Sequence, residues 1–164
     1  MSLVALPDLL PWACAELGIQ PGQPSQNLVV VAGDASNRRY FRLQLDGSSY
    51  ILAEAPPATE KNTAFTEVRQ ILATAGVRVP EIHAVDYRRG FLLLEDLGDR
   101  PLYFELSEAS VDRHYHGAFV LLQAVGAVDV IGMELPAYDA VLLGEELDRF
   151  PEWFVEALLG HTLS

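Results

Sequence analysis

The sequence predicts an α+β fold: a five-stranded antiparallel sheet carrying one inserted helix, followed by a helical segment. Three observations predict it. Short β-branched or alternating runs recur at residues 28–32, 40–45, 50–53, 82–86 and 91–95; side chains alternate sides along a strand, so apolar positions two apart mark a half-buried one. Between the third and fourth runs, Phe65, Val68, Ile71, Leu72 and Ala75 fall at helical spacing. From Leu97 onward the two-residue alternation stops and helical periodicity replaces it.

Each element follows from its own residues. Leu3 to Leu17 reads as a first helix, stopped by Gly18 and the turn-rich PGQPSQN. Leu28 to Ala32 is a short β-branched strand. In Tyr40 to Leu45, Phe41, Leu43 and Leu45 alternate with Tyr40, Arg42 and Gln44. Asp46-Gly47-Ser48-Ser49 is a hairpin turn that returns the chain into Tyr50 to Ala53. APPATEKN (55–62) breaks the sheet, and a helix runs from Thr63 to Ala75 with Gly76 as its stop. Strands Ile82 to Asp86 and Phe91 to Glu95 are joined by Tyr87 to Gly90. The sheet part ends at Glu95-Asp96-Leu97-Gly98, which divides the chain into residues 1–96 and 97–164. Beyond it lie an apolar helix over Val111 to Val128, a loop VIGMELPAY, and helices over Asp139 to Arg149 and Glu152 to Leu159.

Composition narrows the function classes. The chain has 164 residues, half of them hydrophobic, with mean hydropathy +0.16, enough apolar surface for a core. A net charge of −12 and a pI of about 4.6 argue against nucleic acid or an anionic membrane as partner, since both call for a basic footprint. Cys14 stands alone in the apolar LLPWACAEL, which excludes an intramolecular disulfide and predicts a buried thiol. The N-terminus has no basic run and is broken by Pro7 and Pro11, unlike a signal peptide. The apolar stretch from Ala118 to Leu135 is interrupted by Gln123, Asp129 and Glu134, unlike a membrane span. The expectation is a soluble, cytoplasmic protein. His114 and His116, two apart on a helix, face different directions and make no metal pair, and no metal site is expected in this chain.

The decapeptide GDASNRRYFR, Gly33 to Arg42, concentrates the chemistry. Gly33-Asp34 supplies a positive-φ turn, and Ser36, Asn37, Arg38 and Arg39 crowd donors into the bend between two strands. Backbone N–H groups and guanidiniums both favour anionic oxygens, so such a hairpin suits a lid over a triphosphate. Neither GxxxxGK[ST] nor GxGxxG is present. Strand alternation puts Arg38 on one face with Tyr40 and Arg42, and Arg39 on the other.

Four further motifs accompany it: EAPP (54–57), ILATAGVRVPEIHAVD (71–86), GFLLLEDLGD (90–99) and PAYDAVLLGEELDRFPEWFV (136–155). Together, and in this order over nearly the whole chain, the five resemble the kinase-like phosphotransferases of the aminoglycoside phosphotransferase and choline kinase superfamily. Within it they are most similar to the bacterial N-acetylmuramate/N-acetylglucosamine kinases of cell-wall recycling. The resemblance implies a protein-kinase-like N-lobe, a hinge, and the first helices of a C-lobe. It also implies ATP and Mg²⁺ as cofactors, and a nucleotide and a small-molecule sugar acceptor as partners, with an aminoglycoside or a small alcohol as the alternative acceptor. The implied nucleotide site includes Gly33, Asp34, Ser36, Arg38 and Arg42 of the hairpin and second strand, with Ser36 and Arg38 at the phosphates. The Leu94 carbonyl and the Asp96 amide would hold the adenine edge, between Leu28, Ile51 and Leu94 as apolar walls.

The sequence departs from that pattern twice. Kinase-like enzymes place a Lys on the third strand, paired with a Glu on the inserted helix, to orient the phosphates. Here YILAEA leaves Ala53 or Glu54 at that place. Glu67 is the candidate helix acid or a solvated face residue, and Arg38, Arg42 and Lys61 are the candidate replacement cations. Second, none of the four His residues begins an H-x-D, and there is no DFG. No catalytic residue is therefore assigned, and the Mg²⁺ ligands are expected in a C-terminal part outside this chain. The expectation is an N-terminal part of the enzyme, inactive alone and self-associating through the apolar helix unless Tyr138 to Leu159 covers it. A non-catalytic nucleotide-binding or interaction module is the alternative.

Overall fold

The computed structural model describes residues 5–22, 26–31, 36–130 and 138–162. The chain divides into two compact units, residues 1–129 and 130–164. The first holds the sheet: strands β1 (Asn27–Val31), β2 (Arg39–Leu45), β3 (Ser48–Glu54), β4 (Ile82–Asp86) and β5 (Phe91–Glu95). They lie in the order β1-β2-β3-β5-β4, all pairs antiparallel. Helix α1 (Leu9–Glu16) precedes β1, and helix α2 (Asn62–Thr74) is inserted between β3 and β4. This is the expected α+β architecture of a kinase-like N-lobe. The β2–β3 turn is tighter than expected: Leu45 pairs with Ser48, so Asp46-Gly47 alone make the bend, with Gly47 at φ +83°.

Strand alternation gives the sheet two apolar faces. Phe41, Leu43, Leu52, Phe91 and Leu93 pack with Leu9, Trp12 and Ala13 of α1. Cys14 is buried on the same helix, and burial pushes its thiol pKa up. The other face carries Ala53, Ala55, Leu92 and Leu94, with Tyr40, Ile51, Ile82, Val85 and Phe65 of α2 against them. β5 is buried from Phe91 through Leu94 because both faces are covered around it. Glu54 ends β3 only 2% exposed; its carboxylate accepts from the Leu6 amide and pairs with Arg39, which anchors the segment leading into α1.

One close approach fixes the β4–β5 turn. Gly90 has φ +73°, and a Cβ there would meet the Ala55 carbonyl oxygen at 2.1 Å and Pro57 Cδ at 2.9 Å. The contact is held by hydrogen bonds from Ala55 N to Gly90 O (2.7 Å) and from Asn62 Nδ2 to Ala55 O (2.7 Å).

After β5, a short 3₁₀ turn over Leu102–Glu105 leads to α3 (Val111–Gly126). α3 buries no residue, and Phe119, Val120, Leu121, Leu122 and Val125 are each 42–64% exposed. The second unit holds α4 (Ala140–Arg149), whose first turn is capped by Asp139 Oδ1 accepting from the Val141 and Leu142 amides at 3.0 Å each. The two helices expected over 139–149 and 152–159 are joined without a break. A π-wound segment, Phe150–Leu158, continues α4 directly, with Pro151 in its first turn and Phe150 stacked on Phe154. Inside a continuous helix a proline lacks the amide that would bond the preceding turn, and the change from α to π winding falls at that position. Among the described residues no helix is long and apolar enough to cross a membrane.

Candidate functional site

The face of the sheet opposite α1 carries two adjoining cavities. The smaller, about 210 Å³, lies where the chain leaves β5. Val31, Tyr40, Ile51 and Leu94 line its sheet side, and Pro80 and Asp96 to Gly98 its open side. The register explains the set: Val31 pairs with Tyr40, and Ile51 with both Arg42 and Leu94, so all point to one face. Leu28 does not belong to this wall. It pairs with Leu43 and packs against the α1 face of the sheet, and Val31 stands in its place. At that volume, below the ~300–1,000 Å³ of a pocket enclosing a drug-sized ligand, the slot suits one flat ring rather than a whole nucleotide.

Arg42 spans the rim of this slot. Its Nε and Nη2 donate to the two Asp96 carboxylate oxygens at 2.7 and 3.2 Å, and its Nη1 donates to Asp99 Oδ2 at 3.0 Å. This fork joins the middle of β2 to the segment after β5. The Arg42 side chain is 16% exposed and the Asp96 side chain 6%. The hydrogen bond from Arg42 holds the Asp96 carboxyl below the usual carboxylate range, although burial pushes the other way. The Gly98 amide adds a donor to Asp96 Oδ1 at 2.9 Å. The same bonds raise the Arg42 pKa. Glu95, next in the chain, faces outward: Arg78 and the Glu81 amide hold its carboxyl at about pKa 2.

The larger cavity, about 440 Å³, is an apolar groove between α2 and the segment before β4, walled by Ala64, Phe65, Val68, Leu72, Val79 and Pro80. Three cations, Arg38, Lys61 and Arg69, edge it. Arg69 is spent on the Pro80 carbonyl (Nε to O, 2.9 Å). The Arg38 guanidinium lies over the Phe65 ring, 4.6 Å from its centroid, and its Nε is 3.1 Å from Glu60 Oε2. Lys61 is exposed. Pro80 borders both cavities.

Of the residues singled out in the sequence, Arg42, Ile51, Leu94 and Asp96 come together at the slot, and Arg38 stands at the groove on the same face. Ser36 is exposed and its Oγ accepts from the Arg38 amide at 3.3 Å. Gly33 and Asp34 lie outside the described residues. Glu67 is exposed on α2; the acid that meets a candidate cation is Glu60, in the segment before the helix. The third-strand position resolves as well. Ala53 shares the cavity face with Ile51, whereas Glu54 turns to the α1 face and Arg39. Two features escaped the sequence. The Arg42–Asp96 fork joins residues 54 apart, for which no local pattern exists, and Glu60 sits in a segment whose prolines read only as a strand breaker. Among the described residues, no three His, Cys, Asp or Glu side chains converge to hold a metal ion.

A model of the phosphotransferase enzyme family matches residues 27–161. Over 140 residues the chain is 42% identical to the N-acetylmuramate/N-acetylglucosamine kinase of Pseudomonas aeruginosa, covering 85% of this chain and 41% of that protein. It is 39% identical over 141 residues to the protein of the same name from Pseudomonas putida, with 86% and 41% covered. To the one from Neisseria meningitidis it is 31% identical over 144 residues, with 84% and 42% covered. The chain thus spans about two fifths of the length of these curated relatives.

Proposed function

This chain belongs to the phosphotransferase enzyme family, and on that premise we propose that it is the nucleotide-binding part of an ATP-dependent sugar kinase. In this reading residues 1–96 form the nucleotide-binding lobe and 97–164 the hinge and the start of a helical lobe. The observation that carries the reading is the slot between β1–β3 and the exit of β5, with apolar walls on both sides and a polar edge of main chain. A purine ring lays one face on the sheet wall of Ile51 and Leu94 and turns the other toward Pro80 and Leu97, and its edge meets the backbone at Leu94 and Asp96. The phosphates then run toward the hairpin, where Ser36 and Arg38 stand.

ATP fits the donor set, since Arg38, next to the hairpin, stands on the same face of the sheet as the slot. Bound there, ATP supplies the transferable phosphoryl group. Mg²⁺, in this proposal, is held by residues other than those described. The acceptor is an amino sugar, N-acetylmuramate or N-acetylglucosamine, taken from the names of the relatives, and the setting is cytoplasmic recycling of cell-wall sugars. The test is turnover of ATP by the full-length gene product with each sugar. Phosphorylation of either sugar supports the proposal; turnover with aminoglycosides or choline but not with amino sugars overturns the acceptor assignment. No turnover with any acceptor, together with nucleotide binding, favours a non-catalytic module.

A further inference from the structure

The third strand offers no cation to the phosphates: Ala53, on the cavity face, is 1% exposed and packed among Leu92 and Leu94. The three candidate replacements are not equivalent. Arg42 is committed by three hydrogen bonds to Asp96 and Asp99. Lys61 is exposed at the groove, with no carboxylate within ion-pair distance among the described residues. Arg38 differs from both. It lies two residues, or ~7 Å of extended chain, from Tyr40, which lines the slot, and on the same face. Its side chain is 18% exposed, seated on Phe65, and paired with a Glu60 carboxylate that is itself 11% exposed. Nε makes the closest approach to that carboxylate but forms no hydrogen bond with it, so the guanidinium is held by charge and by Phe65 and keeps its donors.

Glu60 does a second thing. Its Oε1 accepts from the Asn37 amide at 3.1 Å, so the one carboxylate grips both the hairpin backbone and the Arg38 side chain. We propose that Arg38 and Glu60 take over the role that a third-strand lysine and a helix glutamate fill elsewhere. Arg38 presents its free guanidinium edge to the nucleotide phosphates. Glu60 is the positioning residue that sets its direction and ties the hairpin to the N-terminal end of α2. The inference rests on the nucleotide reading above and names the cation and its orienting acid within that site. Phe65 completes the device, since a guanidinium flat on an aromatic ring keeps one plane while its edge stays available.

The experiment uses the full-length protein with Mg-ATP and N-acetylglucosamine, and the variants Arg38→Met, Arg38→Lys, Glu60→Gln and Arg38→Met/Glu60→Gln, each checked by thermal melting. One charge-assisted hydrogen bond to phosphate corresponds to about 10- to 100-fold, and Arg38→Met is expected to lose that much in kcat/KM for ATP. Inhibition by adenosine, which has no phosphate, should stay within about twofold of wild type. Arg38→Lys should restore part of the loss. Glu60→Gln keeps an acceptor for Asn37 but loses the charge, so kcat should fall more than KM rises, and the double variant should be no worse than Arg38→Met alone. Wild-type turnover by Arg38→Met, or losses from the two sites that add in full, overturns the inference while leaving the kinase reading intact. A wild-type enzyme that neither binds nor consumes ATP overturns both.

Discussion

Gly90→Ala tests whether the β4–β5 turn is locked to the end of β3 as tightly as the geometry requires. Two costs combine at this position. Alanine at φ +73° is in the left-handed region, worth ~1–2 kcal/mol. The added Cβ also meets the Ala55 carbonyl oxygen at 2.1 Å, more than an ångström inside ordinary contact, and that oxygen cannot swing away freely. It accepts from Asn62 Nδ2, and the Ala55 amide donates to Gly90 O, both at 2.7 Å. Opening the contact breaks at least one of these bonds in a buried setting, at ~1–3 kcal/mol. The expected loss is ~2–5 kcal/mol, a large part of the ~5–15 kcal/mol that holds a typical domain. Gly47→Ala is the matched control. Its φ is +83° but nothing lies within 4 Å of the added methyl, so only the ~1–2 kcal/mol conformational cost applies. Urea denaturation of both variants beside wild type measures the difference. Equal destabilisation of the two, within ~0.5 kcal/mol, would refute the claim that the Ala55–Gly90 approach is rigid.

Other perturbations address the core, the slot and the ion pairs. Leu52→Ala removes a side chain with no exposure at the centre of the α1 face and should cost ~2–5 kcal/mol in the same denaturation assay; a cost under ~1 kcal/mol would mean that this face is loosely packed. Ile51→Trp fills the slot from its β3 side, and about tenfold weaker nucleotide binding at an unchanged melting temperature is expected by calorimetry; unaltered affinity would move the base elsewhere. Stability should also fall in acid. Glu95 sits at about pKa 2 and Asp96 is likewise lowered, against ordinary values of ~4. Folded-state pKa values below the unfolded ones mean stability that is complete above pH ~4–5 and is lost as pH falls toward about 2. Glu95→Gln should flatten the denaturation midpoint over that interval, and an unchanged slope would show that its pairing with Arg78 does not persist in solution.

How much was legible depended on the range of the interaction. β4 and β5 were readable to the residue because both are local runs bounded by turn residues. Side-chain alternation along the chain entering β2 separates Arg39 from Arg38 and Arg42 in the sequence itself. Leu28 was misassigned to the slot because β1 is apolar on both faces, so only its pairing with Leu43 in β2 decides which way it points. Glu67 stands on a helix, where the resemblance puts the partner acid, yet the acid that meets Arg38 precedes the helix, in a stretch with no periodicity to read. The two last helices expected over 139–149 and 152–159 are one run, because the chain passes Pro151 by changing from α to π winding instead of stopping.

The three arginines of GDASNRRYFR each close on a different carboxylate: Arg38 on Glu60, Arg39 on Glu54, and Arg42 on Asp96. β2 and the residue leading into it are thereby riveted at three points, to the approach of α2, to the end of β3, and to the segment leaving β5. Among diverging relatives such rivets would be exchanged as couples. A chain that loses the arginine at one of these positions has little reason to keep the matching acid, because a half-buried carboxylate left without its cation is costly. Three independent pairs of covarying columns, offset by 22, 15 and 54 residues, are the trace this strand should leave in the history of the family.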